Sequence, residues 1–69
     1  MVYEANYIGS TIKIKVEYNI KNLESELFKT SYIVYNKLTI FNILNNKIYK
    51  EIKDDFLIKR FLINKNIIF

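Results

Sequence analysis

The stretch Thr11–Ile20 reads T-I-K-I-K-V-E-Y-N-I, in which Ile12, Ile14, Val16, Tyr18 and Ile20 alternate with Lys13, Lys15, Glu17 and Asn19. A period of two places the first set on one face of a strand and the second on the other. Gly9-Ser10 stands just before it, a pair suited to a type II′ turn. Pairing across that turn sets Tyr7 opposite Ile12, Ala5 opposite Ile14 and Tyr3 opposite Val16, with Glu4 opposite Lys15 on the other face. The expectation is an N-terminal antiparallel hairpin over about residues 2–20. One face would bury Tyr3, Tyr7 and Tyr18, and the other would carry an opposite-charge pair.

Beyond this hairpin the signals are mixed. Asn22 can cap a short helix with Glu24 and Glu26 in its first turn and Leu23 and Leu27 on one face. Ser31–Ile43 is rich in β-branched and aromatic residues. A turn at Asn36-Lys37 would fold it into a second hairpin (about 31–43), with Ile33 opposite Ile40, Tyr32 opposite Phe41 and Ser31 opposite Asn42.

The stretch from Lys47 to Arg60 admits two readings. Asn45-Asn46 and Asp54-Asp55 can mark turns of a continuing meander, but that register sets Lys50 against Lys59 and Phe41 against Lys50. Read as a helix, Ile48, Ile52 and Phe56 form a stripe. Lys47–Glu51, Lys50–Asp54 and Asp55–Lys59 then become opposite-charge pairs one turn apart. The second reading leads to a helix near 46–60 and a C-terminal strand. The expected fold class is therefore α+β in a single small domain over residues 1–69, with an all-β meander as the alternative.

Composition narrows the chemistry. The chain has 69 residues, with no cysteine and no histidine. That excludes disulfides, a thiol nucleophile and a zinc site of nitrogen and sulfur ligands. It also removes the one side chain that ordinarily titrates near neutrality. With one glycine there is no glycine-rich phosphate cradle, and Ser10, Ser25 and Ser31 lack any nucleophile-elbow context. Glu51, Asp54 and Asp55 are the only carboxylate cluster, and interleaved lysines make it read as a solvated face. No catalytic residue, metal or cofactor is assigned, and the chain is not expected to be an enzyme.

The hydrophobic share is 51%, and the longest uncharged run, Leu38–Asn46, is too short to span a bilayer. The start Met1-Val2-Tyr3-Glu4 has no signal-peptide character, so a cytoplasmic location without membrane attachment is expected. Thirteen isoleucines, ten lysines and nine asparagines point to an AT-rich genome, which weakens any argument from the net charge of +4.

A chain this short without staples leans on packing or on a partner. The functional expectation is a small non-enzymatic protein-binding module or homo-oligomer. Its length, codon bias and lack of catalytic groups suit a phage or mobile-element inhibitor that blocks a host defence enzyme by direct binding. Candidate partner-binding residues are the less constrained tyrosines Tyr32, Tyr35 and Tyr49 and the apolar Ile67, Ile68 and Phe69. The alternative is nucleic-acid binding through Lys13, Lys15, Lys50, Lys53, Lys59 and Arg60, with tyrosines as stacking platforms.

Overall fold

The computed structural model describes residues 1–24 and 29–67. Along the chain run β1 (Tyr3–Ile8), β2 (Ile12–Glu24), β3 (Lys29–Asn42), β4 (Ile48–Ile52) and the helix α1 (Asp55–Asn64). The strands form an antiparallel sheet in chain order, β1-β2-β3-β4. The helix covers one face of it. The alternation in β2 is realised as read: Ile14 and Val16 are fully buried and meet Leu38 and Ile40 of β3 and Ile58 and Leu62 of α1. The opposite face is a lattice of charges. Lys15 Nζ lies 3.6 Å from Glu4 and 3.5 Å from Glu17, and Lys37 Nζ lies 3.4 Å from Glu51. Such half-exposed pairs contribute about 0–1 kcal/mol each. Their main effect is to keep that face wet, so the helix has one side on which to dock.

The first hairpin forms in a different register. Tyr7 pairs with Ile14, Ala5 with Val16 and Tyr3 with Tyr18, so each partner lies two residues further along β2 than a two-residue turn would set it. An even shift leaves every side chain on its expected face. The turn differs because Gly9 does not take the positive φ that type II′ requires. Instead its N–H donates to the Ile12 carbonyl at 2.8 Å, and the Thr11 carbonyl accepts from Ile43 at 3.1 Å. The shift stacks Tyr3 on Tyr18, with ring centroids 5.6 Å apart. Tyr3 and Tyr7 stand at the rim of the apolar face and stay exposed, where the alternation predicts core positions.

Two expected elements are replaced. No hairpin turns at Asn36-Lys37; β3 runs straight through as one strand along β2. Asn36 is an extra residue there: Glu17 faces Lys37, and the next residue, Tyr18, faces Tyr35. Continuous pairing with β2 satisfies more backbone groups than a local hairpin would, and one bulge absorbs the mismatch. The short helix capped by Asn22 is absent as far as it can be followed. Asn22, Leu23 and Glu24 are strand and pair with Ser31, Thr30 and Lys29, while its remainder, 25–28, lies outside the described residues.

The span 46–60 divides between the two readings. Ile48–Ile52 is strand, with Ile52 opposite Leu38 and Ile48 opposite Phe41, so its apolar residues find cross-strand partners. Asn46 turns the chain with φ 56°, a left-handed conformation that asparagine tolerates. Its N–H donates to the Asn42 carbonyl at 2.8 Å. The helix begins only after Asp54, whose side chain accepts from Leu57 N–H at 2.9 Å as an N-cap.

The expected C-terminal strand is also replaced, because α1 continues to Asn64 and then closes. Asn66, with φ 56°, donates to the Ile63 carbonyl, and Ile67 donates to the Leu62 carbonyl, both at 3.0 Å. That is a Schellman closure. It folds Ile67 back onto the core.

The core predicts its own test. Ile14→Lys would place an uncompensated charge in a site with no solvent access, and unfolding is expected. Lys15→Thr on the wet face is expected to cost under about 1 kcal/mol. Thermal melts followed by circular dichroism compare the two, and equal midpoints would show the faces to be misassigned.

Candidate functional site

The sheet is much longer than its core. Strand β1 covers β2 only up to Tyr18, and β4 covers β3 only from Leu38 to Phe41. From Asn19 and Val34 outward, β2 and β3 continue as a two-stranded arm. Six residues of strand reach about 20 Å. The arm makes the molecule 51 × 23 × 17 Å, with a radius of gyration of 14.1 Å. A compact chain of this length would have about 11 Å.

The bulge decides what the arm displays. On the near side of Asn36 the helix-facing residues of β3 are Ile40 and Leu38; on the far side they are Tyr35 and Ile33. Ile33 lies opposite Ile20, and both are exposed, as are Tyr32 and Leu23 on the arm's other face. Where the arm leaves the core, Ile20, Ile33 and Tyr35 meet Leu62, Ile63 and Ile67 across a groove of about 630 Å³. Tyr35 packs edge-to-face on Tyr18, with centroids 6.2 Å apart.

The groove is anchored by one polar tie. Beyond β4 the Tyr35 N–H has lost its strand partner, and the Asp55 carboxylate accepts from it at 2.7 Å. Lys59 Nζ lies 3.0 Å from the same carboxylate, the i,i+4 pair expected from the sequence. The Tyr35 N–H, and after it Lys59, holds the Asp55 carboxyl below its usual value of 3.8, against the opposing effect of partial burial.

The residues singled out from the sequence are dispersed. Tyr35 and Ile67 come together at the groove, and Tyr32 borders it from the arm's other face. Tyr49 lies on β4, away from the groove and exposed, and Ile68 and Phe69 lie outside the described residues. Of the basic residues, Lys50, Lys53 and Arg60 line a second groove, between β4 and α1. Lys13 lies over the Phe41 ring on the far face of the sheet, Lys15 is held by Glu4 and Glu17, and Lys59 is held by Asp55. The carboxylate cluster is taken apart: Glu51 pairs with Lys37, Asp54 caps α1, and Asp55 binds Tyr35. Among the described residues no group of three acidic side chains is placed to hold a metal ion, and no helix is long and apolar enough to cross a membrane. Ile20, Ile33 and Ile63 were missed as groove residues. The phase of Ile33 depends on the bulge at Asn36, which no local pattern announces; Ile20 continues the alternation of β2, and Ile63 joins them only through the docking of α1.

Comparison of the chain with protein-family models, curated proteins and solved structures returned no match.

The Asp55 tie has a pH signature. Because its folded pKa is depressed, its contribution is present above the unfolded value of 3.8 and is lost as pH falls through the lower folded value. Asp55→Asn is expected to destabilise the protein by about 1 kcal/mol at pH 7, discounted for exposure. The gap should narrow below pH 3.8. Urea unfolding at both ends of this range measures it, and a gap independent of pH would remove the charge from the account.

Proposed function

We propose that this chain is a non-enzymatic protein-binding module and that the arm of β2 and β3 is its contact surface. The supporting observation is the exposure of Ile20, Leu23, Tyr32 and Ile33 on two strands that have outrun both β1 and β4. A two-stranded ribbon without a core beneath it is marginal in water. Contact with a partner supplies the missing burial, and rigid aromatic and branched side chains are the usual anchors of such contacts. A projecting arm suits insertion into a partner's cleft. That is the geometry an inhibitor of a larger enzyme needs, in keeping with the phage or mobile-element reading of the composition. The nucleic-acid alternative draws less support, since Lys15 and Lys59 are tied to carboxylates and Lys13 faces away from Lys50, Lys53 and Arg60.

The test compares the intact protein with a Tyr32→Asp, Ile33→Asp double variant, both first checked for folding by circular dichroism. Proteins captured from the source organism are identified by mass spectrometry, purified and titrated against each. The double variant is expected to weaken binding by about thirtyfold or more, with Lys13→Ser as an unaffected control. Equal affinities, or a tight salt-dependent complex with oligonucleotides, would overturn the reading.

A further inference from the structure

The second groove, of about 460 Å³, lies at the opposite margin of α1 from the arm and holds a different chemistry. Its apolar lining is Ile52, Leu57 and Phe61. Its charged lining is Lys50, Lys53 and Arg60 against Glu51 and Asp54. Both carboxylates are already committed. Glu51 is 3.4 Å from Lys37, and Asp54 accepts from Leu57 N–H. Among the described residues, no carboxylate lies within ion-pairing distance of Lys50, Lys53 or Arg60. The groove is therefore an apolar floor whose rim carries three cations against one carboxylate, Asp54, that no lysine or arginine among the described residues neutralises.

It also runs beside an open backbone edge. β4 is the last strand of the sheet, and among the described residues no strand pairs with its outer side. Lys50 lies opposite Ile40 and Ile52 opposite Leu38, so both face the helix side, two residues apart on one strand. A strand laid along β4 would place its own alternate side chains next to these two.

We propose that this margin takes an extended acidic segment of a protein partner as a fifth strand. Its backbone pairs with β4. One acidic side chain sits beside Lys50, within reach of Lys53 and Arg60, and an apolar side chain two positions away enters the groove over Ile52, Leu57 and Phe61. This is strand addition with charge and apolar selection at alternate positions. The charge complement favours a peptide over a nucleic acid, because the rim holds only three cations, with Asp54 beside them, and is backed by a strand edge. A phosphate chain would need a longer basic track and gains nothing from the free N–H and C=O groups of β4.

The proposal is independent of the arm. It is tested on the full chain by amide chemical-shift mapping with a capped octapeptide of Thr-Glu-Thr-Val repeats. The same peptide with lysine for glutamate, and a short oligothymidylate, serve as probes of the other chemistries. The acidic peptide is expected to shift the amides of residues 48–53 and 57–64, and to do so equally in the Tyr32→Asp, Ile33→Asp variant. Lys50→Glu with Arg60→Glu should weaken it by about tenfold and bring in binding of the lysine peptide. That gain cannot arise from misfolding. No shifts with the acidic peptide, equal shifts with the lysine peptide, or tighter binding of oligothymidylate would each overturn the proposal.

Discussion

Asn36 has no residue opposite it on β2, and every side chain of β3 beyond it therefore changes face. Were Asn36 instead paired with Tyr18 and the ladder continued without a bulge, Val34 in place of Tyr35 would point toward the helix, and Tyr35 would point toward the charged lattice. With it, Tyr35 joins Tyr18 on the apolar side and its N–H meets Asp55. The bulge is itself clamped. The Asn36 side-chain amide donates to Asn19, and Asn19 donates to the Met1 carbonyl at 2.9 Å. A local irregularity thus settles where the helix starts to engage the sheet and which residues the arm presents. Bulges bend and twist the strand that carries them, and this one sits where the arm parts from the core.

The molecule divides its apolar residues between two jobs. Ile14, Val16, Leu38, Ile40, Ile58 and Leu62 fill a single small core under the helix. Ile20, Leu23, Tyr32 and Ile33 belong to the same two strands and share their composition, yet remain in contact with solvent. The difference lies in coverage. α1 begins level with Tyr35, and its C-terminal end lies with Lys65 and Ile67 beside the β1–β2 turn at Gly9–Ile12, not along the arm. The helix is also pinned at its first turn by Asp54 and Asp55, which act through separate hydrogen bonds to Leu57 and Tyr35.

How far the sequence could be read follows from which interactions are local. The alternation of residues 12–20 is local, and so is the Asp55–Lys59 pair; both survive in the structure. The Asp54 cap was also present as an Asp-Asp pair, but the charge pattern upstream of it favoured a longer helix. That pattern lost because Ile48 and Ile52 gain more by facing Phe41 and Leu38 than by lining a helix with no surface beneath its first turns. The two-residue register shift of β1 and the path of β3 through Asn36 depend on partners far along the chain. Tyr18 accepts Tyr3 by stacking, and β2 accepts all of β3 by pairing. Of the candidate surface, the tyrosines were visible as unassigned aromatics and Ile20 as the end of the β2 alternation, while Ile33 takes its phase from the bulge and Ile63 its place from the docking of α1. Likewise, the grouping of Lys50, Lys53 and Arg60 required knowing that a strand, a turn and a helix meet there.

Strand order equals chain order, and this orders the events of synthesis. Each strand emerging from the ribosome finds its neighbour already made, so the sheet can grow by addition at one edge with only short loops to close. The helix follows the four strands, and among the described residues it and Ile67 cover the face formed by Ile14, Val16, Leu38 and Ile40. Until residues 55–64 are free to fold, the nascent chain is a one-sided sheet with an oily face and two open margins, the kind of species that aggregates or recruits chaperones. Docking of α1 is therefore the step that removes this adhesive face from solvent.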